Sequence, residues 1–370
     1  MHLAVVGLVA SIPALVTLIP ACDAPGEGDD PSRAVQPQGL GPPVLPSNHR
    51  ERSVAPPADL TIGTFEGEGP EVFGIIGDLA VDDAGRIYAL DTRLQVVRVF
   101  SPNGEFLGEA GRPGRGPGEF SVPTGLAVLG SALLVLDAAN TRMSVFHVTD
   151  SIAHELDVQL RLPGWDLCRL GDTVFVLAGS PRAAVHRFRA AGSALEPDGQ
   201  FDVDGPEDPL LAATLRPSII ACLDDGRTVA VATPQLPAVT LYRSDGREVA
   251  KHEIADFVQV RVERGDDGSV ALQWPSADRW HHVITSVFPL DGSEFGVQVA
   301  VIRAGARDAS EVSDFETRVM RADRGEIRRV PSAARTLVVR DNVEYGVRTE
   351  PHPQIVVQAT RLRPSTSEHP

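Results

Sequence analysis

The sequence has no surplus of basic residues. Lysine and arginine together number 34, against 50 aspartates and glutamates, so the 370-residue chain carries a formal net charge of -16. Nucleic-acid binding depends on basic side chains that neutralise phosphates, so this composition argues against a nucleic-acid partner. An acidic surface keeps a protein soluble and discourages association, and we therefore expect a monomer.

Long stretches with helical periodicity are also scarce. The chain contains 30 prolines and 34 glycines, and its short runs of valine, isoleucine, leucine and phenylalanine alternate with glycine, aspartate and proline. This pattern is typical of many short strands. The sequence also lacks a Gly-x-Ser-x-Gly nucleophile motif and a cysteine and histidine spacing that would bind zinc.

One long uncharged run occurs at residues 3–20 and leads into Ile19-Pro20-Ala21-Cys22. An apolar core followed by small residues is typical of a signal peptide. The last four residues resemble a bacterial lipobox, which implies that residues 1–21 are removed and that Cys22 is lipidated. An uncleaved membrane anchor is the alternative, because about 18 apolar residues just span a bilayer. Both interpretations predict an exported, membrane-anchored protein, periplasmic or on the cell surface.

The composition changes sharply after this run. Residues 22–58 contain eight prolines and four glycines and almost no residues that would join a core. We predict that they form a disordered tether. The folded domain is expected to span residues 59–363, followed by a disordered tail at 364–370.

An internal repeat organises the remainder of the chain. In the first copy, residues 78–91 (DLAVDDAGRIYALD) precede 95–100 (QVVRVF); in the second, residues 125–137 (GLAVLGSALLVLD) precede 141–146 (TRMSVF). The offset of about 46 residues lies in the range of β-propeller blades. Asn-Gly and Asp-Gly pairs between apolar runs mark hairpin turns.

Further copies begin near residues 166 and 221. The Gly-Leu-Ala-Val, Val-Leu-Asp and Arg-x-x-Val-Phe segments of the second copy resemble NHL-type and related six-bladed propellers. The resemblance implies an all-β fold of six blades, with seven as the alternative, and four antiparallel strands per blade. It also implies that residues 60–65 (LTIGTF) complete the last blade and close the ring. Residues 255–331 are too long for one blade, so we predict an inserted hairpin (258–262 and 269–274) followed by the fifth blade.

Two cysteines, Cys168 and Cys222, align at the same place in the innermost strands of adjacent blades. Equivalent positions in a ring point in the same direction. We also expect neighbouring innermost strands to lie farther apart than the roughly 4.4–6.8 Å Cα separation of a disulfide. The prediction is two buried thiols, with an inter-blade disulfide as the alternative.

Asp78 and Asp166 are the first candidate ligand-binding residues, because they occupy matched positions at the start of innermost strands, beside the mouth of the central channel. Two carboxylates there would suit Ca²⁺, and lactonase-like propellers bind a metal in this region through Glu, Asn and Asp. This chain has only four asparagines, none of them suitably placed. We therefore expect no metal or other cofactor, with Ca²⁺ as the alternative. Hydrogen bonds from the two carboxylates to backbone groups at the strand starts are the structural alternative.

Asp91 and Asp137 end the second strand of their blades. Because they recur, we predict a structural role, with hydrogen bonds to a turn. The glycine-rich loop at residues 111–118 lacks the Gly-Lys-Ser/Thr of a phosphate-binding loop and is interpreted as an inter-blade linker. Its arginines, Arg112 and Arg115, are candidate contacts for an anionic ligand.

The irregular region contains a last candidate cluster, formed by Trp274, Trp280, His281 and His282. Adjacent histidines on a strand face opposite sides, so they do not readily share a metal. Trp280 and His281 are candidate ligand contacts, because loops that depart from a repeat often carry function. Local packing is the alternative.

Two functions follow from these observations. The first is an exported, membrane-tethered propeller that acts as a binding or scaffolding module for a small molecule or a protein. The second is a metal-dependent, lactonase-like hydrolase or lyase with its site at the channel mouth. Whether the protein is an enzyme is left open, and the lack of a catalytic constellation favours the binding module.

Overall fold

The computed structural model describes residues 60–362, apart from 180–182, 192–193, 207, 266–268, 274–279 and 304–310. The predicted signal peptide, Cys22, the tether, the tail and Trp274 lie outside the described residues. No helix in the described part of the chain is both long enough and apolar enough to cross a membrane.

Six four-stranded antiparallel sheets form a ring of six blades, which confirms the predicted propeller and excludes the seven-bladed alternative. The first-named strand of each blade is the innermost, since these strands contact one another around the central axis. The first blade contains β2 (Ile76–Val81), β3 (Ile87–Asp91), β4 (Val96–Phe100) and β5 (Phe106–Ala110). The second contains β6 (Pro123–Leu129), β7 (Ala132–Asp137), β8 (Arg142–Val148) and β9 (Ile152–Gln159). The third contains β10 (Gly164–Leu170), β11 (Thr173–Ala178), β12 (Ala184–Ala191) and β13 (Ala194–Asp202).

The remaining three blades follow the same plan. The fourth contains β14 (Ile219–Cys222), β15 (Thr228–Ala232), β16 (Ala238–Arg243) and β17 (Glu248–Glu253). The fifth contains β20 (Trp280–Pro289), β21 (Glu294–Arg303), β22 (Glu311–Arg321) and β23 (Gly325–Ser332). The sixth contains β24 (Arg335–Arg340), β25 (Val343–Arg348), β26 (Gln354–Ala359) and β1 (Leu60–Ile62).

The ring closes through its N-terminal strand, as predicted. Strand β1 pairs antiparallel with β26, with Leu60 opposite Val357 and Ile62 opposite Ile355. Ile62 is buried in a cluster with Phe100 of the first blade, so this short strand also contributes to the interface between the last blade and the first.

The hydrophobic core is divided among the interfaces between blades. Tyr88 and Val97 of the first blade, for example, pack with Leu133 and Phe146 of the second. Both faces of the middle strands are covered in this way, and every residue of β3 and β4 is buried. This explains why these strands are almost continuously apolar, whereas the outermost β5 is largely exposed.

Strand direction assigns the loops to two faces of the ring. In every blade, the loop that leads into the innermost strand and the loop between the second and third strands lie at the same face, because each antiparallel strand reverses the chain. We call this the loop face. Helix α1 (Pro209–Thr214) and the predicted hairpin, formed by β18 (Arg261–Arg264) and β19 (Val270–Gln273), both precede an innermost strand and therefore both lie on the loop face.

Candidate ligand-binding channel

A cavity of about 310 Å³ follows the axis of the ring between the innermost strands. Six polar residues, one from each blade, line its end near the loop face. We call this set the polar collar; its members are Asp78, Thr124, Asp166, Ser218, Thr285 and Arg335. Five of them lie at or near the starts of their innermost strands, and Thr285 lies in the middle of the longer strand β20, where its carbonyl accepts from Arg335 at the start of β24.

Asp78 and Asp166 each join two neighbouring blades. One oxygen of Asp78 accepts from the N–H of Leu79 at 2.8 Å, and the other accepts from the N–H of Leu126 in the second blade at 2.9 Å. Asp166 repeats the pattern with Leu167 at 2.8 Å and with Ile220 in the fourth blade at 2.9 Å. Both carboxylates therefore bond to backbone, which was the structural alternative considered for them.

The two carboxylates influence each other across the second blade. Gly125 lies between them, and a Cβ at that position would be 3.3 Å from Oδ1 of Asp166 and 2.9 Å from Cδ2 of Leu167. Enclosure by the protein raises the pKa of Asp78. Enclosure and the charge of Asp78 raise the pKa of Asp166 well above its ordinary value. Such a pair favours holding a proton more strongly than isolated aspartates do.

Arg335 supplies the cation of the polar collar. Its Nε donates to the carbonyl of Thr285 at 3.2 Å, and its Nη1 donates to the carbonyl of Gly77 at 3.3 Å, so it connects the fifth, sixth and first blades. The charge of Arg335 lowers the pKa values of Asp78 and Asp166, although less than burial raises them. The sequence analysis did not identify this arginine, because it lies just before residues 336–361, where the repeat returns only faintly.

Cys168 and Cys222 form a disulfide, with a Cα–Cα distance of 5.5 Å. The prediction of two free thiols was therefore wrong. Its premise failed because innermost strands converge at the axis: Asp166, two residues before Cys168, already reaches the backbone of Ile220, two residues before Cys222. Side chains two residues apart on a strand point to the same side. Cys168 therefore approaches β14 on the same side as Asp166 does, and it meets Cys222 two residues beyond Ile220. Both cysteines line the cavity.

Trp165 forms part of the cavity wall beside the polar collar, and the sequence analysis did not single it out. Its Nε1 donates to the carbonyl of Gly179 at 3.1 Å. The guanidinium of Arg216 lies over its ring, 3.7 Å from the centroid. Arg216 follows helix α1, so the insertion between the third and fourth blades covers this tryptophan. Burial lowers the pKa of Arg216.

The two insertions also contact each other on the loop face. Arg264 of β18 forms an ion pair with Asp208, whose side chain caps helix α1 by accepting from the N–H groups of Leu210 and Leu211. A second cavity, of about 440 Å³, lies beside them and is lined by Leu215, Leu236, Val260 and Val262 among others. The irregular sector therefore builds a wall on one side of the loop face.

Asp91 and Asp137 have the structural role that was predicted. Asp91 is fully buried and accepts from the N–H groups of Gly74, Ile75, Arg93 and Leu94. Asp137 is also fully buried and accepts from the backbone of Ser121, Val122 and Asn140. Each carboxylate thereby fixes the turn after its strand and the segment that enters the blade.

The glycine-rich loop is an inter-blade linker organised by Glu119. This carboxylate accepts from the N–H of Gly116 at 2.7 Å and from Nε of Arg112 at 2.9 Å. The hydrogen bond from Gly116 is the main reason that the pKa of Glu119 is lowered, with Arg112 next. Arg112 is therefore paired within the loop, and Arg115 is exposed. Neither is among the residues that line the channel cavity.

The histidines at the start of β20 are buried and face different surroundings. Nδ1 of His282 accepts from the N–H of Val258 at 2.9 Å, and its ring lies 5.5 Å from that of Phe257. Burial, followed by the charge of Arg318, lowers the pKa of His282 to about 4. Burial also lowers the pKa of His281. Trp280 is the first residue of β20, and His281 is not among the described residues that line the channel cavity.

Comparisons with known proteins support the fold. A family model described as a 6-bladed beta-propeller matches residues 68–171. The search of curated proteins gives no match. A member of the DUF4221 family from Bacteroides vulgatus has a TM-score of 0.51 at 9% identity, over 82% of this chain and 97% of the other. Hydrazine synthase from Kuenenia stuttgartiensis has a TM-score of 0.47 at 13% identity, over 81% of this chain and 100% of the other. A virginiamycin B lyase from Staphylococcus aureus has a TM-score of 0.44 at 10% identity, over 77% of this chain and 95% of the other. Similarity at these identities concerns the propeller fold alone.

Proposed function

We propose that this protein is an exported, membrane-tethered binding propeller of NHL-like type that holds a small molecule in its central channel. The polar collar is the observation that carries this proposal, since all six blades direct a polar residue to one end of a single cavity. A concave site with a few converging polar groups is the usual form of a small-molecule site. The wall of insertions beside the channel adds a loop surface of the kind that often carries function.

The lactonase-like hydrolase receives less support from the same residues. Asp78 and Asp166 are the two carboxylates among the described residues that line the cavity, and no asparagine or glutamate lines it with them, whereas the resemblance to lactonase-like propellers implies a set of Glu, Asn and Asp ligands. Among the described residues, no group of three or more histidine, cysteine, aspartate or glutamate side chains is arranged to hold a metal ion. We therefore propose the binding module ahead of the hydrolase, and whether the protein is an enzyme stays open.

Blocking the channel tests the proposed function. Ala80 lies two residues beyond Asp78 on β2, lines the cavity and is half-buried, so Ala80→Phe would fill the channel below the polar collar. Ala153 is exposed on the outer strand β9, and Ala153→Phe is the matched control. Small polar fragments are screened by ligand-observed NMR against all three proteins. We expect fragments that bind the wild type and Ala153→Phe but not Ala80→Phe. If every bound fragment also binds Ala80→Phe, the channel is not the site.

Lipid attachment tests the membrane tether. The proposal rests on the resemblance of residues 19–22 to a lipobox. Cells that export the protein are labelled with an alkyne analogue of palmitate, and the mature N-terminus is read by mass spectrometry. We expect a labelled chain beginning at Cys22 and no label in Cys22→Ser. An unlabelled chain that retains residues 1–21 would contradict lipidation.

A further inference from the structure

The channel is divided into a polar and an apolar layer. Below the polar collar, the same innermost strands direct aliphatic residues into the cavity, and these residues include Val81, Val128, Ala221, Val287 and Val339. A ligand that fills the cavity therefore meets Asp78, Asp166 and Arg335 at the end near the loop face and a mainly aliphatic lining further in, where Arg169 is a further charged residue. This arrangement favours a compact molecule with a polar head and an apolar body.

The polar layer contains both an available donor and available acceptors. Arg335 is enclosed by protein, and two of its nitrogens donate to carbonyl groups. Its Nη2 atom has no hydrogen-bond partner among the described residues. It is also not one of the side-chain atoms there that lack a partner and are fully enclosed, so part of its surface stays accessible. Asp78 and Asp166 accept one backbone hydrogen bond per oxygen. Because a carboxylate has about four lone-pair sites, both can accept from a ligand as well.

We propose that the channel binds a small α-amino acid with an apolar side chain, an inference that rests on the proposed function. The ligand's carboxylate would accept from Arg335, its ammonium group would donate to Asp78 and Asp166, and its side chain would lie against the aliphatic layer. The charges match, because Arg335 supplies a cation for the ligand's carboxylate, and Asp78 and Asp166 supply acceptors for its ammonium group.

Size and charge disfavour other ligand classes. At about 310 Å³ the cavity lies at the lower end of the range for small-molecule sites, roughly 300–1,000 Å³. A dicarboxylate would bring its second anionic group close to Asp78 and Asp166. A bare metal ion would leave the aliphatic layer unfilled.

Calorimetric titration with matched ligands tests this inference without altering the protein. L-Leucine is compared with 4-methylpentanoate, which lacks the ammonium group, and with 3-methylbutylamine, which lacks the carboxylate. We expect leucine to bind, and each analogue to bind more weakly by about tenfold or more, because each leaves a buried charged group of the channel without its partner. Equal affinity of leucine and either analogue would overturn the zwitterion assignment.

Two arginine variants locate the carboxylate site. Arg335→Gln is expected to weaken leucine binding by about tenfold or more. Arg348→Gln is the control, because Arg348 is exposed at the end of β25 in the same blade and is not among the described residues that line the cavity. If Arg335→Gln does not fold, the ligand series still decides. If leucine fails to bind while fragments bind in a manner blocked by Ala80→Phe, this inference is wrong and the proposed function stands; if Ala80→Phe blocks no ligand, both are wrong.

Discussion

The carboxylate of Asp166 accepts a hydrogen bond from the backbone N–H of Ile220, across the boundary between the third and fourth blades. The bond between Asp78 and Leu126 is its counterpart between the first and second blades. Thr124 connects the second and third blades through the carbonyl of Gly164. The polar collar therefore holds neighbouring blades together as well as lining the channel.

Removing the Asp166 carboxylate should weaken the ring. In Asp166→Ala, the N–H groups of Leu167 and Ile220 lose their acceptor, and an unsatisfied buried donor costs about 1–3 kcal/mol. We expect a lower free energy of unfolding in urea by an amount of this order. Asp172→Ala, an exposed position in the turn after the same strand, is the control and should change little. Equal stabilities of the two variants would show that the inter-blade bond contributes nothing measurable.

The disulfide should contribute to stability through the same boundary. It closes a sequence separation of 54 residues, and disulfides of this kind typically stabilise by about 2–4 kcal/mol. We expect a reductant to lower the urea midpoint of the wild type and to leave the double variant Cys168→Ser/Cys222→Ser unchanged. Alkylation after denaturation without reductant should modify neither cysteine. Modification of both would show that the thiols are free.

The elements that the sequence predicted correctly depend on the repeat and on the resemblance to six-bladed propellers. Asp91 and Asp137 could be assigned a structural role because they recur at a strand end, and their backbone partners lie in the following turn or 15–17 residues earlier, in the segment that enters the same blade. Strand β1 could be assigned to the last blade because that blade lacked a fourth strand and because the resemblance implies closure by an N-terminal strand.

The elements that the sequence did not predict depend on how blades converge. The distance between Cys168 and Cys222 follows from the approach of β10 and β14 at the axis, which spacing along the chain does not reveal. Arg335 acts on Gly77, which is 258 residues away in sequence. Trp165 and Arg216 meet only because an insertion folds over the third blade. His281 was chosen as a candidate because it lies in the irregular region, and it is not among the described residues that line the channel.

The raised pKa values of Asp78 and Asp166 predict a pH dependence of stability. A folded state that raises an aspartate pKa binds the proton more tightly than the unfolded state, so this contribution increases the free energy of unfolding as pH falls through the folded pKa toward the ordinary value of 3.8. Arg335 opposes the shift but does not reverse it. We therefore expect the destabilisation caused by Asp166→Ala to be larger at about pH 5 than at about pH 8, by up to roughly 1.4 kcal/mol per pH unit.

Urea unfolding of both proteins across this range gives the required difference. Groups with lowered pKa values, such as Asp83 and Glu119, change the stability of the two proteins equally, so they cancel. A difference that stays constant or shrinks on acidification would contradict the raised pKa values.

Ring closure should depend on a single side chain of the three-residue strand β1. Ile62 is 3% exposed and packs against residues of the first and last blades, whereas its neighbour Thr61 is exposed on the same strand. Ile62→Ala would leave a cavity in this interface, and truncation of a buried isoleucine to alanine costs about 2–5 kcal/mol. Thr61→Ala retains the backbone pairing with β26 and should change the free energy of unfolding by less than about 1 kcal/mol. Hydrogen exchange gives a second measurement: in Ile62→Ala, amide protection should fall first in β26, because β1 covers its outer edge. If Ile62→Ala is as stable as Thr61→Ala and β26 keeps its protection, β1 is an accessory strand and the ring is held closed by the contacts of the innermost strands.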